Sequence, residues 1–215
     1  MRYYIADLHY YHGNLNQQMD RRGFENEEIM NAYMISRWNA KVRDGDEVVI
    51  LGDFCMSPKG RDANAVLEQL NGTKYLIIGN HDRYLNDRAF NTKNFKWIRP
   101  YEELKDNKRK VILSHYPVMC YNGQYRRNAA GEPLTYMLYG HVHNTFDERL
   151  INTYCRMVSR QKRPAIGQDV PEQIPCAMIN CFCMFSDYTP LTLDEWILTD
   201  AKRREALPPI CEDAR

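Results

Sequence analysis

This chain predicts an α/β fold with a largely parallel sheet at its centre, and three features carry that reading. Five short apolar runs lie between residues 3 and 139. Helical stripes fill two of the gaps between them. Each run ends abruptly at a polar residue able to do chemistry. The runs cover residues 3–6, 48–51, 75–78, 111–113 and 136–139, and are rich in Tyr, Val and Ile. Continuous runs of this kind read as strands buried on both faces. Met30, Met34, Trp38 and Val42 form one stripe of a helix over residues 26–43. Ala63, Val66, Leu67 and Leu70 form a second, with Gly72 placed where a helix C-terminal glycine belongs. Strand, helix, strand, helix, strand calls for crossover connections, hence parallel pairing.

Beyond residue 144 the pattern weakens. Residues 147–163 suit a helix ending in the basic cluster Arg156, Arg160, Lys162 and Arg163. Residues 164–175, with three Pro and one Gly, suit a surface loop. Residues 177–185 suit a further strand, 193–197 a short strand or turn, and 201–215 a frayed tail. The whole of 1–215 reads as one domain: core motifs over 3–144, then an extension and closing strands over 145–200.

Composition narrows the function. Hydrophobic residues make up 44% of the 215, enough for a substantial core. Lys and Arg number 29 against 28 Asp and Glu, a formal net charge of +1, so no global field favours nucleic acid or a membrane surface. The chain opens without an apolar signal region, and no run approaches a membrane span. Seven Cys without a CxxC pair argue for reduced thiols and a cytoplasmic location rather than a zinc cage or disulfide framework.

The chemistry-bearing residues gather at the run ends. The six His are His9, His12, His81, His115, His141 and His143, each at or shortly after the end of an apolar run. In an open α/β sheet, ligands collect beyond the carboxyl ends of the strands. Asp7, Asp53 and Asn80 join them there. Carboxylate, imidazole and amide oxygen suit divalent Mn, Fe, Zn, Ni or Mg. The set exceeds the roughly three protein ligands of one catalytic zinc and matches two cations sharing a carboxylate.

Asp7-x-His9, Gly52-Asp53, Gly79-Asn80-His81-Asp82, His115 and Gly140-His141-Val142-His143 resemble, in order and spacing, the calcineurin-like metallophosphoesterase family. Residues 113–117 and 138–144 are similar to its small prokaryotic or phage-encoded members. The resemblance spans residues 3–144. It implies a four-layer α/β/β/α sandwich with two mixed sheets. It also implies a phosphoesterase acting on phosphomonoesters or phosphodiesters, through attack by a hydroxide bridging two divalent metals, manganese first among them. Carried over residue by residue, Asp7, His9, Asp53 and His143 would hold one metal. Asp53, Asn80, His115 and His141 would hold the other. His81 would act as general acid or charge stabiliser, oriented by Asp82. His12 resembles a third His of the small members, touching substrate or orienting a ligand. Where such members often carry Asn-Val-Gly, this chain has Asn180-Cys181-Phe182, so Asn180 is given no role.

The loop over residues 120–133 could lay Arg126 or Arg127 on a substrate phosphate. The plain alternative is a solvated polar loop. The basic cluster at 156–163 reads as a charged helix face before it reads as a nucleic-acid groove. The favoured partner is therefore a small phosphoester; nucleic acid stays open but is not favoured, no membrane is expected, and nothing fixes an oligomeric state. Two rival readings remain. One is a nuclease or nucleotide or cyclic-nucleotide phosphodiesterase. The other is a non-catalytic scaffold, which the complete set of ligand-type residues disfavours.

Overall fold

All five apolar runs form strands. The computed structural model describes residues 1–164 and 170–206. Its strands are β1 (Arg2–Ile5), β2 (Glu47–Ile50), β3 (Thr73–Ile77), β4 (Ile98–Arg99), β5 (Tyr101–Asp106), β6 (Arg109–Ser114), β7 (Thr135–Tyr139), β8 (Lys162–Pro164), β9 (Pro171–Gln173) and β10 (Met178–Asn180). Its α-helices are α1 (Glu27–Lys41), α2 (Gly60–Leu67), α3 (Phe146–Ser159) and α4 (Leu193–Ala206). One sheet runs β1-β2-β3-β4 and is parallel throughout, with an antiparallel bridge from Tyr4 to Leu191 at its edge. The second runs β10-β7-β6-β5, with β5 antiparallel and the rest parallel.

Alternation along the strands stacks the layers. Tyr3, Ile5, Val48 and Ile50 face α1 and α2, packing on Met30, Met34, Trp38 and Val66. Their neighbours Tyr4, Ala6, Val49 and Leu51 face the other way, against Val111, Leu113 and Leu138 of the second sheet. Ile112, Met137 and Tyr139 on that sheet's outer face pack against Cys155 and Ile151 of α3. The result is the expected α/β/β/α stack. In α1, the Asn26 side chain accepts the Ile29 N–H at 2.9 Å, and the Met30, Met34, Trp38 stripe is fully buried.

The second half departs from expectation. Residues 193–197 begin a helix rather than a strand or turn. Thr192 and Glu195 form a reciprocal capping box, with Thr192 N–H donating to Glu195 Oε2 at 2.9 Å. Leu193, Trp196 and Ile197 then follow helical spacing and close over the space between the sheets, with Trp196 Nε1 donating to Tyr4 O at 2.8 Å. Residues 201–206 of the expected frayed tail belong to this helix, and residues 207–215 lie outside the described residues. The expected helix over 147–163 ends at Ser159, because Arg160 and Gln161 donate back only three residues and Ile174 N–H then donates to Gln161 O. Lys162 and Arg163, expected on the helix, accordingly sit on a two-stranded ribbon, β8 with β9, whose second strand lies in the segment expected as loop; residues 165–169 lie outside the described residues. The expected strand over 177–185 is three residues long, followed by a 3-10 turn over Cys183–Ser186. Gly72 does not cap α2, which ends at Leu67; it takes φ +82° in the turn into β3.

Candidate metal centre

The parallel strands of both sheets end at a common rim. Asp7 follows β1, Asp53 follows β2, Asn80 and His81 follow β3, His115 follows β6, and His141 and His143 follow β7. Backbone contacts lock these ends together: Asp7 N–H donates to Gly52 O at 3.1 Å, His9 N–H to Asp53 O at 2.9 Å, and Gly140 N–H to His115 O at 3.0 Å. Asp7, His9, Asp53, His141 and His143 all hold left-handed backbone, with φ of 57°, 51°, 52°, 71° and 47°. Such conformations cost about 1–3 kcal/mol each and concentrate where a site over-determines them. Gly79 and Gly140 permit the close approach. A Cβ at Gly79 would overlap the amide and carboxylate of Asp53, and one at Gly140 would lie 2.6 Å from Asp7 Oδ2.

Two side-chain clusters result. Asp7, His9 and His143 are all buried and offer ligand atoms within 4.8 Å of one another; buried Asp53 and His115 and half-buried His141 offer ligand atoms equally close beside them. Asp53 lies between, with Oδ2 3.5 Å from both His9 Nε2 and His115 Nε2. Asn80 Oδ1 is 2.9 Å from His115 Nε2 and 2.9 Å from His141 Nδ1. All seven residues expected to hold metal are therefore brought together.

Hydrogen-bond partners assign the ring tautomers. His115 Nδ1 lies 2.8 Å from Leu51 O, a carbonyl that can only accept, so that nitrogen carries the proton. In neutral His115, the Nε2 lone pair then points at Asn80 Oδ1 and Asp53 Oδ2, both also acceptors. His143 Nδ1 likewise donates to Asp20 Oδ1 at 2.7 Å, leaving its Nε2 lone pair 3.1 Å from His9 Nε2. His9, whose Nδ1 has no partner, can close that contact by donating from Nε2, whereas at His115 the facing atoms of Asn80 and Asp53 are acceptors; this buried set of carboxylates, imidazoles and an amide oxygen fits divalent metals. The protonation tendencies agree. Burial holds His9 well below its ordinary value and lowers His141, which favours neutral ligands. Burial raises Asp7, while Asp53, despite its burial, is drawn to about 2 by His115 and His9 and by the His81 N–H. Burial pulls His115 down, but Asp53 and Asp7 raise it to about 9.

The remaining expected residues divide. His81 borders the clusters, its N–H donating to Asp53 Oδ1 at 2.7 Å and its ring centroid 5.5 Å from that of His9. Asp82 does not orient the His81 ring. Its carboxylate accepts the backbone N–H groups of Gly79, Phe54 and Asp53 at 2.7, 2.8 and 3.1 Å, tying two motif loops together. Burial raises it to about 6. His12 lies beside His9, ring centroids 5.3 Å apart, with Nδ1 buried and unpartnered. Arg126 and Arg127 are not over the site. Leu134 N–H donates to Arg126 O and Lys110 N–H to Leu134 O, so this loop is anchored at the opposite end of β6 from His115. Arg127 there lines a cavity of about 250 Å³ with Tyr125 and Arg163.

Three residues near the site escape sequence reasoning. Asp20 and Arg22 back His143 through long-range contacts that leave no mark in the sequence. Asn180, given no role, donates to His143 O at 2.9 Å and to buried Glu148 at 3.1 Å, fixing the loop that carries His143.

The sequence model of calcineurin-like phosphoesterases matches residues 3–157. An uncharacterized protein of Methanocaldococcus jannaschii is 35% identical over 148 residues, covering 68% of this chain and 72% of its own. A protein of unknown function from Aquifex aeolicus, known from its crystal structure, shares the fold with a TM-score of 0.59 at 22% identity, over 91% of this chain and 96% of its own.

Proposed function

The chain belongs to the calcineurin-like phosphoesterase family, and on that premise we propose that it is a dinuclear metal-dependent hydrolase of small phosphomonoesters or phosphodiesters. The observation that carries the reading is Asp53 Oδ2, equidistant at 3.5 Å from one histidine of each cluster, the place of a shared ligand. Asp7, His9, Asp53 and His143 would hold one divalent cation, and Asp53, Asn80, His115 and His141 the other, manganese being the first choice. When bound, the pair supplies Lewis acidity to the phosphoryl group and lowers the pKa of water at the site.

The protein's own groups do the rest. The Leu51 carbonyl and the Asp20 carboxylate fix the tautomers of His115 and His143, so that each presents Nε2. Asp82 holds the loops bearing Asp53 and Asn80 in one register, and so acts by positioning rather than on substrate. His81 lies at the border with its backbone pinned to Asp53, where its Nε2 can protonate the departing alkoxide. His12, beside His9, is placed to meet a substrate oxygen. The free state of all six described cysteines suits a cytoplasmic enzyme. No described helix is long and apolar enough to cross a membrane.

The test is hydrolysis of chromogenic phosphate mono- and diesters by metal-stripped protein, with and without added manganese. Turnover of at least one ester that depends on the metal is expected. Absence of turnover with each of Mn, Fe, Zn, Ni and Mg would refute the hydrolase reading.

A further inference from the structure

The two metal clusters are not built alike. Behind His143 stands a buried ion pair. Asp20 Oδ1 accepts the His143 Nδ1 proton at 2.7 Å, and Asp20 Oδ2 takes Arg22 Nε at 3.0 Å and Nη2 at 2.9 Å. The two side chains are 1% and 0% exposed. The same guanidinium donates to Leu8 O at 2.7 Å and Asp7 O at 3.0 Å. One arginine thus ties the backbone carrying Asp7 to the carboxylate backing His143, and both are ligand residues of the first cluster.

Among the described residues, no carboxylate is hydrogen-bonded behind the histidines of the second cluster. His115 Nδ1 donates to the neutral Leu51 carbonyl at 2.8 Å, with Asp7 Oδ1 farther off at 3.9 Å. His141 is half-buried against the ring of Tyr116, itself 49% exposed, with centroids 4.5 Å apart. Asn80 is exposed and offers a neutral amide oxygen. The first cluster also owns a carboxylate, Asp7, beyond the shared Asp53, whereas the second has only the shared one. A carboxylate behind a ligating imidazole makes it a stronger donor and fixes its orientation.

We propose that Asp20 and Arg22 are positioning residues for the Asp7–His9–His143 cluster, giving it the tighter and more slowly exchanging cation, so that it fills first. This rests on the dinuclear reading above. The second cluster, weaker in donors and open to solvent, takes its cation last and releases it first.

The experiment is a titration of metal-free protein with manganese, following free ion by electron paramagnetic resonance and the bound pair by its exchange-coupled signal. Two classes of site are expected. Asp20→Asn should weaken the tight class about 10- to 100-fold and leave the loose class unchanged. His141→Ala should abolish the loose class alone, and His9→Ala the tight class; these two assign the sites even if Asp20→Asn folds poorly. Two classes with the tight one untouched by Asp20→Asn, or lost in His141→Ala rather than His9→Ala, would overturn the proposal and leave the dinuclear reading standing. No manganese bound by the unaltered protein would overturn both.

Discussion

Replacing Gly140 with alanine should cripple the proposed activity through a single methyl group. Gly140 has an ordinary backbone conformation, so alanine meets no torsional penalty there. The added Cβ would lie 2.6 Å from Asp7 Oδ2 and 2.7 Å from Ala6 Cβ. Relaxed contacts between such atoms are about 3.5–4.0 Å, so something must move by roughly 1 Å. Ala6 is fully buried between the sheets and cannot yield. The shift falls on the Asp7 carboxylate or on the peptide whose His141 N–H donates to it at 2.9 and 3.1 Å. Either choice displaces a ligand of one cluster. A misplacement of about 1 Å at a reacting centre costs on the order of 10²-fold in rate. Overpacking adds about 1–3 kcal/mol of destabilisation. Turnover of a chromogenic phosphoester with manganese, metal content per chain and thermal denaturation would be measured together. Gly13→Ala is the control, since its Cβ comes no closer than 3.4 Å to Glu27, and it should behave as the unaltered protein. Undiminished turnover with full metal content in Gly140→Ala would refute the argument from close approach.

His81→Ala should retain both metals and lose about 10²- to 10⁴-fold in turnover, as expected for a positioned proton donor; loss of metal would make His81 a ligand instead. In metal-free protein, His115 is drawn down by burial but raised to about 9 by Asp53 and Asp7. A folded-state value above the ordinary 6.5 contributes stability that is fully present below pH ~6.5 and lost as pH rises through about 9. The melting temperature of metal-free protein should fall across that window, and flat melting curves would contradict the assignment. Arg203→Ala leaves Glu148 buried without its cation, and should cost about 3 kcal/mol by chemical denaturation, at the low end for a broken buried pair because neutral donors from Tyr139, Asn152 and Asn180 remain. A variant as stable as the parent would mean that α4 does not close the fold through this contact.

The candidate metal site is legible in the sequence because its chemistry sits at strand ends. Each ligand motif follows a run such as residues 48–51, whose burial between layers forces continuous apolar sequence, and the polar residue that stops the run lands on the rim. The second sheet came only through family resemblance, since β5 is an antiparallel edge whose sequence, YEELKD, shows no apolar run. Helix α4, where residues 193–197 suggest a strand or turn, does carry a helical signal: Thr192-x-x-Glu195 is a capping box, and Leu193, Trp196 and Ile197 repeat at helical spacing. Asp20 and Arg22 left no signal, because their partners His143, Asp7 and Leu8 are distant or are met through backbone carbonyls. Arg126 and Arg127 looked like phosphate grips by residue type alone, and the return path of the loop toward Thr135 carries them to the far end of β6.

Anomalous scattering from crystals grown with manganese tests the whole account most directly. It should show two peaks per chain, one among Asp7, His9 and His143 and one among Asn80, His115 and His141, with the Asp53 carboxylate touching both. A single peak, or a rim left empty at saturating manganese, would contradict the shared-carboxylate centre on which the proposed chemistry depends.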